Sequence, residues 1–196
     1  NEFELLSDQL SDSHFNYFMF RDFQSRNIIV KNDEVFFIDF QGGMKGGMPY
    51  DVASLLWQAK AELSNEWKER LLNDYIKEAE QVLGETIDAN LFKKQYHGFV
   101  LLRLLQVLGA YGFRGLFERK AHFLTSIPLG LRNLKSFLEV YTLGKDTPVF
   151  AGILNWMVGQ EVLDRFTPIQ ATEKTPLVIT INSFSYKKGL PSDASE

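Results

Sequence analysis

Phe20-Arg21-Asp22-Phe23-Gln24-Ser25-Arg26-Asn27, followed eleven residues later by Ile38-Asp39-Phe40-Gln41, is the stretch on which the reading of this chain turns. Asn27–Val30 and Val35–Asp39 are β-branched and aromatic runs. The polar turn Lys31-Asn32-Asp33-Glu34 joins them, which predicts a β-hairpin. A tight hairpin brings its two ends together. Asn27 enters its first strand, Asp39 leaves its second, and Asp22 sits just ahead of it. Three oxygen-bearing side chains are thus expected to converge. Phosphoryl transfer needs such a set: one Asp to accept or orient the proton of an attacking hydroxyl, and an Asn carbonyl with an Asp carboxylate to hold Mg²⁺ against nucleotide phosphates. The chemistry is mostly positioning and charge neutralisation, so few residues suffice. A D-x4-N spacing alone is common, and Asp and Asn frequent turns for local reasons. The hairpin, the apolar-apolar-Asp-Phe ending and the Gly-rich segment that follow in order make the functional reading specific.

Outward from this stretch, Glu2–Leu10 reads as the last turns of a helix and Tyr17–Phe20 as strand-like. Gly42, Gly43, Gly46, Gly47 and Pro49 predict a flexible loop. From Asp51 the period becomes helical. Val52, Leu55, Leu56, Ala59 and Leu63 share one helix face. A second helix carries Trp67, Leu71, Tyr75, Ile76, Ala79 and Leu83, stopped by Gly84. A third runs from about Ala89 to Phe117. A fourth follows Ser126-Ile127-Pro128. A fifth starts at Thr147-Pro148, a capping residue with proline in the first turn, and continues to Phe166. Trp57, Trp67 and Trp156 lie at helical spacing among apolar neighbours and are expected in the core. Arg114, Arg119 and Lys120 are candidates to line a pocket for an acidic substrate, although charges near a helix end are usually solvated. The expected fold class is α+β, mainly α.

Composition narrows the function classes. The chain has 196 residues, 45% hydrophobic and 14% aromatic with 17 Phe, enough for a proper core. A net charge of −4 and a pI near 5.5 argue against a general nucleic-acid-binding surface. There is no Cys, hence no disulfide, thiolate metal site or Cys nucleophile. His14, His97 and His122 form no zinc motif. No signal peptide is visible in Asn1–Ser11. The most apolar stretch, Phe99–Phe113, is shorter than the roughly 20 residues of a spanning helix and is read as a buried helix, in a cytoplasmic protein without membrane partners.

Arg21-Asp22-x4-Asn27 resembles the catalytic loop, and Asp39-Phe40-Gln41 the metal-binding motif, of aminoglycoside phosphotransferases and choline kinases, distant relatives of protein kinases. The resemblance implies the C-terminal lobe of a protein-kinase-like fold with a small β-hairpin at the active edge. It also implies ATP and Mg²⁺ as cofactors, Asp22 as catalytic base, and Asn27 and Asp39 as metal ligands. Tyr50-Asp51-Val52-Ala53-Ser54-Leu55-Leu56 looks like the family's segment after the metal site. There the Asp caps a core helix and supports the catalytic loop, so Arg21 and Asp51 are structural. Together with Leu105-Gln106-Val107-Leu108-Gly109-Ala110-Tyr111, these motifs are similar to those of bacterial kinases acting on the anomeric hydroxyl of N-acetylmuramate and N-acetylglucosamine. The partner is then a small hydroxylated molecule, an amino sugar. Substrate-binding residues are not readable from pattern.

Phe20 stands where the family usually has His, and position 41 is Gln rather than the Gly of protein kinases; neither removes a catalytic group. No Gly-rich phosphate loop or strand Lys precedes Asp22. The resemblance therefore covers residues 1–166 as a C-lobe, both chain ends look cut, and residues 1–196 alone are expected to be catalytically silent. The polar run 167–175 reads as a linker. Pro176-Leu177-Val178-Ile179-Thr180-Ile181-Asn182-Ser183-Phe184-Ser185-Tyr186-Lys187-Lys188-Gly189-Leu190-Pro191 resembles the opening of the RNase adapter protein C-terminal domain, so 176–196 is expected to begin a second domain, the one place where RNA could bind. The rival reading is a pseudokinase scaffold or sensor for that domain. An intact Asp22/Asn27/Asp39 set favours the enzyme, because a scaffold has no need of all three.

Overall fold

The computed structural model describes residues 1–11, 16–143 and 146–166. The expected linker 167–175 and second domain 176–196, with its possible RNA contact, lie outside the described residues. What is described is mainly helical with small antiparallel sheets, the α+β class expected.

Helix α1 (Glu2–Ser11) leads into strand β1 (Tyr17–Met19). After a loop and a 3₁₀ turn (Ser25–Asn27), strands β2 (Ile28–Lys31) and β3 (Glu34–Phe37) form the predicted hairpin. Lys31 pairs with Glu34, leaving a two-residue turn. Both turn residues, Asn32 (φ 51°) and Asp33 (φ 62°), adopt the left-handed backbone that such tight turns require and that Asn and Asp tolerate. The Gly-rich segment, expected as a loop, contains strand β4 (Met44–Gly46), which pairs antiparallel with β1. Glycine allows this approach. A Cβ at Gly46 would lie 2.6 Å from the Met19 sulfur, and one at Gly43 would lie 2.5 Å from the Phe18 ring.

The helices then build one core. Helix α2 (Pro49–Leu56) is shorter than its periodicity predicts. The chain turns at Trp57–Gln58, so Ala59 falls in a 3₁₀ turn (Ala59–Ala61) and Leu63 in the connection beyond it. The turn is anchored: Trp57 is buried, its ring is edge-on to Phe137 at 5.3 Å, its indole N–H donates to the Tyr96 hydroxyl (2.9 Å), and its carbonyl accepts from Asn133 (2.6 Å). Helix α3 (Asn65–Leu83) is capped by the Ser64 hydroxyl and ends at Gly84 in the left-handed conformation (φ 68°).

Helix α4 (Ala89–Gly112) continues into a π-helical turn (Phe113–Phe117). The combined span Ala89–Phe117 is long and apolar enough to cross a membrane by length and composition, unlike the shorter apolar stretch read from sequence. In this fold it is the central element, packing against α1, α2 and α6 (Ile127–Val140). Its buried residues include Tyr96, Val100, Leu101 and Leu104. Short helix α5 (Ala121–Leu124) precedes α6, whose Leu134 and Phe137 are fully buried.

The expected fifth helix is two, α7 (Pro148–Met157) and α8 (Gln160–Phe166), broken at Val158-Gly159. Thr147 is not the side-chain cap expected of it. The Glu2 carboxylate, from α1, accepts from the backbone N–H of Val149 (3.0 Å) and Phe150 (2.6 Å) instead. Trp67 and Trp156 are also corrected: they are 51% and 60% exposed, and only Trp57 joins the core. Trp67 receives the Arg70 guanidinium over its ring at 5.2 Å.

Candidate active site

The loop Phe20–Asn27 is fixed at its start by Asp51. One carboxylate oxygen accepts from the Phe20 N–H (2.5 Å), the other from the Arg21 N–H (2.9 Å). Asp51 lies in the first turn of α2, but the capping position is Met48, so Asp51 supports the loop without capping the helix. Burial pushes its carboxyl above the usual carboxylate range; the two N–H donors and Arg103 oppose this, and nearby Asp22 adds to it. Arg21 adopts a left-handed backbone (φ 76°), and its guanidinium donates to the Gly42 carbonyl (3.4 Å). Phe20 is buried in an aromatic cluster with Phe23 and Phe37, at centroid distances of 5.5 and 6.5 Å. Its ring is held by packing and its backbone by the Asp51 carboxylate.

Asn27 is buried at the end of the 3₁₀ turn. Its amide nitrogen donates to the Asp22 carbonyl (2.9 Å) and to the Asp39 carboxylate (3.5 Å). The hairpin is closed beside it, with the Ile38 N–H donating to the Asn27 carbonyl (3.0 Å). Asp39 also sits in left-handed backbone (φ 66°), and its second carboxylate oxygen accepts from Gln41 (2.6 Å). Asn27 and Asp39 are therefore neighbours. Asp22 joins them through its carbonyl, while its side chain is exposed.

Because a carbonyl and a carboxylate can only accept, the Asn27 nitrogen faces them and its amide oxygen faces away from the Asp39 carboxylate, so the Asn27 amide would have to turn for both side chains to meet one cation. That oxygen and the Asp39 carboxylate are hard donors of the kind Mg²⁺ takes. Among the described residues no cluster of three or more His, Cys, Asp or Glu is placed to hold a metal. A donor set of one amide and one carboxylate suits an ion that keeps waters and completes its shell with phosphate oxygens.

Sequence reasoning missed several residues that shape this region. Gln58 accepts from the Ser25 N–H (2.9 Å), fixing the middle of the loop. Arg103 on α4 donates to the Tyr50 hydroxyl (2.9 Å) and to Gln106 (3.1 Å) and stacks over the Tyr50 ring. A cavity of about 720 Å³ opens beside the loop, lined by Gln24, Ser25 and Arg26 and by residues of α2, α4, α5 and α6. Arg114 lines it; Arg119 and Lys120, its partners in the sequence-based expectation, do not. The signal for Arg26 was present, inside the motif itself. Arg103 had none, since nothing in a helical pattern says which side of a buried helix meets a loop.

Comparison with curated proteins gives no match. The segment that carries Arg21, Asp22, Asn27, Asp39 and Asp51, residues 2–85, matches the model of the phosphotransferase enzyme family.

Proposed function

We propose that this chain is the catalytic lobe, kinase-like in fold, of a cytoplasmic small-molecule kinase that moves the γ-phosphate of ATP to a hydroxyl of an amino sugar. The observation that carries the reading is the double hydrogen bond of the Asn27 amide to the Asp22 carbonyl and the Asp39 carboxylate. It ties the proposed base loop to the proposed metal loop at one buried point. The match over residues 2–85 supports the same reaction class.

Asn27 and Asp39 would hold Mg²⁺. Bound there, the ion neutralises charge on the nucleotide phosphates. Asp22 lies beside this pair without needing to bind the ion. Its carboxylate is exposed and can face an acceptor hydroxyl to orient or take its proton. Asp51 and Arg21 hold the loop that presents it.

Asp39→Ala in the intact protein tests the reading. Phosphotransferase activity with ATP should vanish, Mn²⁺ binding used as a paramagnetic stand-in should weaken, and the circular dichroism spectrum should stay unchanged. Near-normal turnover with an unaltered metal requirement would refute the assignment.

A further inference from the structure

Helix α7 carries no charged side chain. Phe150 and Leu154 turn one face of it into the core. A second face is just as apolar. Val149, Gly152, Ile153 and Trp156 follow one another at helical spacing, and all four are exposed. Phe3 of α1, also exposed, lies at the start of this helix, with its ring 5.0 Å from that of Phe150. A helix that is apolar all round is normally a buried one, and a contiguous exposed apolar patch marks a contact surface. Gly152 has open space where a Cβ would stand, so another backbone can come close to the middle of the patch. The other exposed apolar groups are different in kind. Val30, Val35 and Phe36 sit on the hairpin among Lys31, Asp33 and Glu34, and Phe113, Leu116 and Phe117 sit on the π-helical turn beside Arg114 and Glu118.

We infer that the exposed face of α7, together with Phe3, is the docking surface for the run Leu177–Ile181 of the same chain. Helix α8 packs against α7 and ends at Phe166. Residues 167–175 separate that end from Pro176–Tyr186, which contains no charged residue and includes Leu177, Val178, Ile179 and Ile181. Nine residues reach at most roughly 30 Å, and a ten-residue helix is about 15 Å long, so the connection brings the run to any point along α7. An uncharged run and an uncharged face thus lie within reach of each other. A second copy is a poorer occupant. Four large side chains are few beside the roughly 20–30 residues a side of a stable interface. Docking within one chain has no such threshold, because the connection supplies a high effective concentration. No residue of α1, α7 or α8 lines the cavity, so the docked run leaves the proposed active site open.

Hydroxyl-radical labelling of the intact protein, read by mass spectrometry, tests this on the three tryptophans of the chain. In the described residues Trp156 is more exposed than Trp67, 60% against 51%, and Trp57 is buried. With the run docked, the order of the first two reverses: Trp156 should label less than Trp67, and Trp57 should stay unlabelled. Ending the chain after Thr175 should restore Trp156 to the higher rate without exposing Trp57. Leu177→Asp combined with Ile179→Asp should do the same at full length, and this variant decides if the shortened chain also exposes Trp57. Val82→Asp, at an exposed position on α3, should change nothing. A photocrosslinker placed by Ile153→p-benzoylphenylalanine should capture residues 176–186 of its own chain. Labelling of Trp156 at or above Trp67 in the intact protein would overturn the inference. So would protection that survives both the truncation and the double variant, or a crosslink to any other segment. Protection that disappears on dilution, with crosslinks between chains, would also overturn it and give the face to a second copy.

Discussion

Asp22 and Asp51 carry the same carboxylate and meet opposite surroundings. Asp22 is exposed; Asp51 is half-buried with both oxygens committed to backbone donors. Asn keeps the shape of Asp but takes no proton. Asp22→Asn in the intact protein should lower kcat by roughly 10²–10⁴-fold with little change in the KM for ATP. A kcat held within about twofold while ATP binding collapses would show that Asp22 acts on the nucleotide. Asp51→Asn turns one of two acceptors into a donor aimed at an N–H. It should cost about 1–3 kcal/mol in stability, measured by urea unfolding. An unchanged unfolding midpoint would show that the two bonds are dispensable. That Asn27 and Asp39 are neighbours was legible in sequence, because a tight hairpin must bring its two ends together. Asp51's actual bonds were not, because a helix-start Asp reads as a cap whether or not it reaches across to a loop.

At the scale of elements, turn chemistry read correctly and periodicity overreached. Asn32-Asp33 announced the hairpin because only a few residues accept its backbone. Ala59 and Leu63 fell on the period of α2 by coincidence, and the helix stops where Trp57 is drawn into the core. Strand β4 was hidden because Met44-Lys45-Gly46 has no strand composition; its pairing with β1 is created by the space that Gly43 and Gly46 leave for Phe18 and Met19. The start of α7 shows the same limit. Thr147-Pro148 marks the boundary, yet the cap comes from Glu2, remote in sequence. Glu2→Ala should therefore destabilise the protein by about 0.5–2 kcal/mol, the usual worth of a cap. Urea midpoints identical to wild type would show that Val149 and Phe150 find other acceptors at no cost.

For the molecule as a whole, the five-helix expectation gave the right class of core, built on α4. Two of three tryptophans were misplaced because helical spacing says which residues share a face, not which face turns inward. His97, on α4, illustrates how this core responds to pH. Its ring stacks on Tyr141 at 5.0 Å beside Tyr96 and Phe137, and burial holds its pKa below 6.5; Glu69 opposes the shift and Lys93 adds to it. A lowered folded-state pKa means that the unfolded chain takes up the proton first. Stability from this group is complete above about pH 6.5 and declines as the pH falls below it. Melting temperatures should drop across that window, and His97→Phe should flatten the drop; parallel curves for the two proteins would assign the acid sensitivity to other groups. A last consequence belongs to the β1–β4 pairing. Tyr17↔Gly46 and Met19↔Met44 tie together two points of the chain, and every residue of the motif lies on the ring of backbone between them. The ladder closes this ring at its neck while Asp51 and Gln58 grip it from outside, so Asp22, Asn27 and Asp39 come free together only when the ladder and these side-chain anchors open in concert.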